Sequence, residues 1–186
     1  LKTTAGHIQI GDPMADETEM GPLCTPAQIT HIESQIAQAI DEGGTIIAGG
    51  KRADKDGLYF QPTIIECPRQ DLTIVDTELF GPVLSVLRFR DEEHVISMAN
   101  DTKHGLAAGI FTRDGKRGMR MVNATKAGIV WLNTYRVISP IAAFGGMKTS
   151  GYGREAGMQA MYDYTRPKTV WMNLSEDPIA NPFQPR

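Results

Sequence analysis

With 186 residues, 41% of them hydrophobic and 22% charged, the chain has the make-up of a folded globular domain large enough for one well-buried core. A formal net charge of -3, with both signs scattered along the chain, argues against a nucleic-acid partner, and no apolar run reaches the length that spans a bilayer. Cys24 and Cys67 fit neither a disulfide framework nor a clustered metal site and no basic-then-apolar leader opens the chain, so a reducing, cytoplasmic compartment is the expectation.

The chain begins at Leu1 rather than Met, as a fragment or a processed product would. Residues 1–24, with the acid-, Gly- and Pro-rich run GDPMADETEMGPL, read as an irregular lead-in. A helix follows, with Thr25 as its cap, Pro26 at the first helical position and Gln28 completing a capping box. Ile29, Ile32, Ile36, Ala39 and Ile40 recur at helical spacing until Gly43 and Gly44 stop the pattern. Short strands are expected at 45–48 and 62–66, separated by an exposed loop.

Residues 83–89 (VLSVLRF) form a buried-type strand, and Asp91 caps a helix that carries Val95, Ile96, Met98 and Ala99 and ends by Gly105. A strand at 106–112, a glycine-weakened helix over 113–127 and a strand at 128–133 complete an alternation that implies parallel pairing with crossover helices. The fold class is therefore α/β, a mostly parallel sheet with flanking helices. Residues 139–157 are a glycine-rich crossing, residues 154–165 a short helix, and residues 168–174 (KTVWMNL) a last strand set apart by Pro167 and free to pair outside this core.

Chemistry has few footholds in single motifs. Gly151, Gly153 and Gly157 approach a dinucleotide fingerprint, but no strand is expected before Gly151, and loop flexibility and close backbone packing explain them better. His7, His31, His94 and His104 lack metal-ligand spacing and read as solvated surface. Cys24, beside the helix cap, has no neighbouring base and reads as a small buried or half-buried residue. In TELFGPVLSV, Glu78 has two oxygens able to accept both hydroxyls of a ribose, and Phe80 a face on which a base or ring packs. The local pattern alone favours an exposed acid and a buried ring.

Read together, ELFGPV (78–83), NDTKHGLAAGIFTRD (100–114), GIVWLNTY (128–135) and FGGMKTSGYGREAG (144–157) stand in the order and at about the spacing of the aldehyde dehydrogenase superfamily. The resemblance runs from about residue 10 to about residue 174 and is similar to that family's C-terminal portion: a lead-in (1–24), most of the catalytic domain (25–165), and the oligomerisation strand with its tail (166–186). It implies that Glu78 holds the nicotinamide ribose of NAD or NADP and that Phe80 borders the nicotinamide. It implies that Val137, Ile138, Ser139 and Phe144 line the aldehyde pocket, that Glu155 relays protons, and that Lys148 and Gly151 match a potassium site of some relatives. The family's nucleophilic Cys, general-base Glu and oxyanion Asn are absent from this chain, as are its cofactor-domain segments.

The implied activity is oxidation of an aldehyde to a carboxylic acid through a cysteine thioester, performed with the missing N-terminal part of the same enzyme. The isolated chain is expected to be inactive, and the last strand is expected to join a homo-oligomer. The resemblance leaves two other readings open. One is an acyl-coenzyme A-forming or phosphoryl-linked semialdehyde member of the superfamily; the other is a non-enzymatic oligomerisation or interaction module.

Overall fold

The structure is a computed structural model that describes residues 1–177 and Phe183. Two compact bodies make up the chain. One comprises Leu1–Val137 with Gly145–Gly153, the other Ile138–Phe144 with Arg154–Arg186.

The first body holds the α/β core. Helix α1 (Lys2–His7) precedes α2 (Pro26–Asp41), then come strands β1 (Thr45–Ala48) and β2 (Thr63–Glu66), the single turn α3 (Thr73–Asp76) and strand β3 (Val83–Val86). Helix α4 (Glu92–Asn100), strand β4 (Ala107–Ile110), helix α5 (Gly115–Ala124) and strand β5 (Ile129–Leu132) complete it. β1 pairs antiparallel with β2, β2 parallel with β3 from Thr63↔Val83 to Glu66↔Val86, and β4 parallel with β5 from Ala107↔Ile129 to Ile110↔Leu132. The sheet is thus mostly parallel, with the crossover helix α5 joining β4 to β5, as the alternation implied.

The local signals act as expected at the starts of α2 and α4, and α5 has a cap of the same kind. Thr25 accepts the Gln28 amide while the Gln28 side chain accepts the Thr25 amide, and Pro26 sits at the first turn, where its missing N–H costs nothing. Asp91 accepts from the His94 amide, and Asp114 from the Lys116 and Arg117 amides. Glu92 then ties α4 to α5 through a two-pronged pair with Arg120 at 2.7 and 2.8 Å. Ile32, Ile36, Phe60, Ile65, Leu72 and Leu79 form the heart of the core between α2 and the three-stranded sheet.

Several expectations need correction. The lead-in is not wholly irregular, because residues 2–7 are helical beside β1; α1 has no side-chain cap, so tertiary packing and not a local signal places it. α3 had no sequence signal. α4 stops at Asn100, short of Gly105; β1 has the expected bounds, while β2 to β5 are each shorter than expected because pairing ends before the run does. β3 and β4 both lie at sheet edges and do not pair with each other, so the alternating block splits into a three-stranded and a two-stranded ladder. Beside them lies a cleft of about 440 Å³ lined by Phe89, Val95, Ile110, Phe111 and Met121 among others.

In the second body, Phe144 and Glu155 form a two-way backbone bridge, and helix α6 (Gly157–Tyr164) follows. That bridge displaces the helix start from the expected residue 154 to Gly157. Residues 168–174 are not a strand here. They run exposed with no ladder partner among the described residues, Trp171 being 93% accessible, and a strand needs an edge that bonds it. Residues 178–182 and 184–186 of the expected tail lie outside the described residues. Among the described residues, no helix is long and apolar enough to cross a membrane.

Candidate functional site

The segment Glu78–Val83 is built around one buried residue. Leu79 is 8% exposed and packs into the core, so its neighbours on either side, Glu78 and Phe80, are turned out to solvent. Phe80 is 76% exposed and has φ 51°, a left-handed backbone that is uncommon for an aromatic residue. The buried ring that the local pattern favoured is therefore not found. What holds this conformation is visible on both flanks. The Gln28 side-chain amide donates to the Phe80 carbonyl at 3.4 Å, and the Pro82 carbonyl accepts from the Thr63 amide at 2.8 Å, where β3 begins. Gly81 is required for space and not for its dihedral, since any Cβ there collides with Ile32 of α2.

Immediately upstream, Asp76 closes α3. Its carboxylate accepts from the Thr102 hydroxyl at 2.6 Å and the Lys103 amide at 3.4 Å, and its carbonyl lies 3.2 Å from the His104 ring. The Thr102 hydroxyl, chiefly, holds the Asp76 carboxyl below the usual range. The turn 101–104 is gripped from a second direction. Lys148, at φ 55° in a 3₁₀ turn (Lys148–Ser150), donates its ammonium to the carbonyls of Asn100 and Thr102 at 2.8 and 2.9 Å. Thr149 bonds the Lys103 carbonyl through both its amide and its hydroxyl, and Ser150 accepts the Gly105 amide. Lys148 thus spends its donors on a helix C-terminus, where a cation is favoured by the orphan carbonyls.

After β5 the chain turns through Asn133 and Arg136, both at positive φ, toward Val137. Trp131 anchors this loop: its indole N–H donates to the Val137 carbonyl at 2.9 Å, and its ring meets Tyr135 edge-on at 5.2 Å. Val137 is exposed. Gly128, at the start of β5, lies so close to the Gly145 carbonyl that a Cβ has no room.

In the second body, Ile138 is exposed, Ser139 and Phe144 are half-buried, and Glu155 is exposed. Phe144 and Glu155 exchange backbone hydrogen bonds of 2.7 Å in both directions, so the expected pocket aromatic and the expected proton relay share one bridge. No strand precedes Gly151, and a side chain there would meet open space, so its φ of 107° and not close packing calls for glycine; of the three glycines only Gly157, against the backbone of Ala142 and Ala143, is closely packed.

The remaining titratable side chains divide differently from expectation. Cys24 is exposed, not half-buried, because the Gln28 side chain takes up its amide and leaves the thiol outside. Cys67 is buried, and burial pushes its thiol up, away from the thiolate a nucleophile needs. His94 and His104 are half-buried and hydrogen-bonded rather than solvated. Among the described residues, no three His, Cys, Asp or Glu side chains gather as a metal site. Sequence reasoning missed Gln28, Asp76, Thr102 and Trp131. Only the spacing of Gln28 from its cap gave any signal, and it pointed to helix capping alone.

These features have close counterparts. The (Z)-2-((N-methylformamido)methylene)-5-hydroxybutyrolactone dehydrogenase of Acinetobacter baylyi is 48% identical over 177 residues, covering 95% of this chain and 36% of that protein. A betaine aldehyde dehydrogenase of Cereibacter sphaeroides is 43% identical, covering 98% of this chain and 38% of that protein. The solved NAD⁺ complex of aldehyde dehydrogenase from Bacillus cereus superposes with a TM-score of 0.89 at 42% identity, covering 94% of this chain and 36% of that one. The chain spans little more than a third of the length of these relatives. The model of the aldehyde dehydrogenase family matches residues 1–170, and with these relatives it shows that the chain belongs to that family.

Proposed function

We propose that this chain is the C-terminal portion of an NAD- or NADP-dependent aldehyde dehydrogenase that oxidises an aldehyde to a carboxylic acid through a cysteine thioester. The observation that carries the reading is the presentation of Glu78 and Phe80 on either side of buried Leu79, with Phe80 exposed at a strained dihedral. Strained backbone kept in a folded chain points to function.

The residues fit a nicotinamide nucleotide. Glu78 is an acceptor suited to the two hydroxyls of the nicotinamide ribose, and the exposed face of Phe80 suits the ring that the ribose carries. When bound, the cofactor supplies the hydride acceptor. Glu78 and Phe80 orient it; Val137, Ile138, Ser139 and Phe144 shape the aldehyde pocket; Glu155 moves a proton toward solvent. The cysteine that carries the acyl group, and the base that activates water, belong to the N-terminal part of the enzyme, so the isolated chain does not turn over. The open edges of β3 and β4 and the apolar cleft beside them support a larger assembly, as does the exposed run Val170, Trp171 and Met172, which suits a strand joining a second subunit. The compartment is cytoplasmic.

The test is aldehyde-dependent formation of reduced nicotinamide by the full-length enzyme, by the same enzyme carrying Glu78→Ala, and by the 186-residue chain alone. The full-length enzyme turns over, Glu78→Ala loses on the order of 10²-fold in kcat/KM, and the chain alone is silent. Turnover by a homogeneous sample of the chain, or an unaffected Glu78→Ala enzyme, overturns the reading.

A further inference from the structure

We propose that Thr102 and Lys148 are positioning residues for the cofactor segment: acting through the 101–104 turn and Asp76, they clamp the stretch that presents Glu78 and Phe80. The inference rests on the cofactor reading of those two residues and adds what holds them.

Three features of the structure point to it. First, the turn has no apolar anchor of its own. Asp101 and Lys103 are exposed and Thr102 and His104 only half-buried, so its place is set by polar bonds. Second, those bonds converge from two distant parts of the chain. Thr102 donates its hydroxyl to Asp76 at 2.6 Å, two residues ahead of Glu78, while Lys148 bonds the Thr102 carbonyl at 2.9 Å and the Asn100 carbonyl at 2.8 Å. Asn100 is itself fixed, its side chain donating to the Ala124 carbonyl and accepting the Lys126 amide at the end of α5. Third, the two ends of this chain of contacts, Phe80 and Lys148, both sit at positive φ. Such conformations persist only where the surroundings over-determine them.

The stretch from Asp76 to Phe80 has one core anchor, Leu79. A single anchor sets depth but leaves rotation about it free. Asp76 supplies the second fixed point on the upstream side, and Gln28 a third at the Phe80 carbonyl. Loss of the Thr102 bond, the shortest that Asp76 makes, leaves Leu79 buried and Asp76 on its longer contacts with Lys103 and His104 alone, so Glu78 and Phe80 are directed less firmly.

The experiment uses the full-length enzyme and measures, by titration calorimetry, the affinity for NAD or NADP, whichever the unaltered enzyme binds, and for AMP, which lacks the nicotinamide riboside. Thr102→Val removes the hydroxyl at nearly constant volume, and Lys148→Met removes the ammonium. Each is expected to weaken dinucleotide binding about tenfold while AMP affinity stays within about twofold. Thr102→Ser, which keeps the hydroxyl, restores binding. The double variant weakens it little more than either single one, because both act through one turn. Equal losses for dinucleotide and AMP mean general damage and overturn the proposal, as does full additivity. If Glu78→Ala weakens the dinucleotide and the clamp variants do not, the clamp alone is refuted. If Glu78→Ala leaves binding unchanged, the cofactor reading falls and takes the clamp with it.

Discussion

Gly81 offers the sharpest test of how the core shapes the site. A Cβ built at this position runs into the Cδ1 atom of Ile32, lies 3.4 Å from its Cγ1 and 3.6 Å from Cδ2 of Leu23. Ile32 is fully buried in the core, so its terminal methyl can yield only against packed neighbours. Gly81→Ala therefore overpacks a closed space, at a cost of about 1–3 kcal/mol. Ile32→Val deletes the very atom that collides, and alone leaves a methyl-sized void costing about 0.5–1.5 kcal/mol. Together they exchange one carbon for another in the same place. The double variant is expected to lose less than about 1.5 kcal/mol, well short of the sum of the two single losses.

Urea unfolding of the chain followed by circular dichroism gives the three free energies, provided the denaturant slope is unchanged among the variants. A coupling of at least about 1 kcal/mol in the direction of rescue is the predicted result. Additive losses, or a Gly81→Ala chain as stable as the starting one, refute the claim that this glycine exists to admit Ile32.

Thr25→Ala removes the hydroxyl that accepts the Gln28 amide while leaving the backbone amide of residue 25 bonded to the Gln28 side chain, and should cost about 1 kcal/mol in the same assay; no change would mean that Gln28 holds the helix start unaided. A thiol reagent should modify Cys24 readily in the folded chain and Cys67 only after unfolding, and rapid loss of both thiols under native conditions would contradict the burial of Cys67. Glu33, Glu42, Asp76, Glu92 and Asp114 are all held below the ordinary carboxyl range, by Arg52, Thr73, Thr102, Arg120 and the Arg117 amide respectively as the leading cause. Their folded forms favour the anion, so they contribute stability above the unfolded carboxyl range that disappears as pH falls below about 4. A melting temperature flat from neutral pH to pH 3 would count against these interactions.

What could be read in the sequence was what short-range physics determines. The capping box at Thr25 and Gln28, the cap at Asp91 and the apolar stripe of α2 involve partners within a few residues, and the structure has each of them. Helix α1 and the turn α3 owe their existence to what they pack against, so no local pattern announced them. Residues 168–174 carry strand-forming side chains, yet a strand is a pairing and not a composition, and among the described residues no edge pairs with them. The polar links around the site join Asp76 to Thr102 and Thr102 to Lys148 across 26 and 46 residues, a separation at which one sequence carries no trace of contact. The local pattern gave the exposed acid at Glu78 and misplaced the ring of Phe80, and family likeness was what tipped the reading toward a cofactor role for the two.

That misplacement carries an energetic argument. An exposed Phe forgoes the roughly 1.5–3 kcal/mol that burial of such a side chain provides. Its left-handed backbone adds a cost of order 1 kcal/mol, one that asparagine tolerates far better. Its neighbours have structural partners: Leu79 the core, Gly81 the side chain of Ile32, Pro82 the Thr63 amide. Phe80 has one only through its carbonyl, which Gln28 bonds and which any residue would present. The side chain is thus a net burden on the folded chain unless something outside the chain packs on it. Phe80→Asn should leave the stability of the chain unchanged or raise it by about 1 kcal/mol, while lowering dinucleotide affinity in the full-length enzyme. A loss of stability greater than about 1 kcal/mol would show that the ring is held by this chain after all, and the inference from its exposure to a bound ligand would fail.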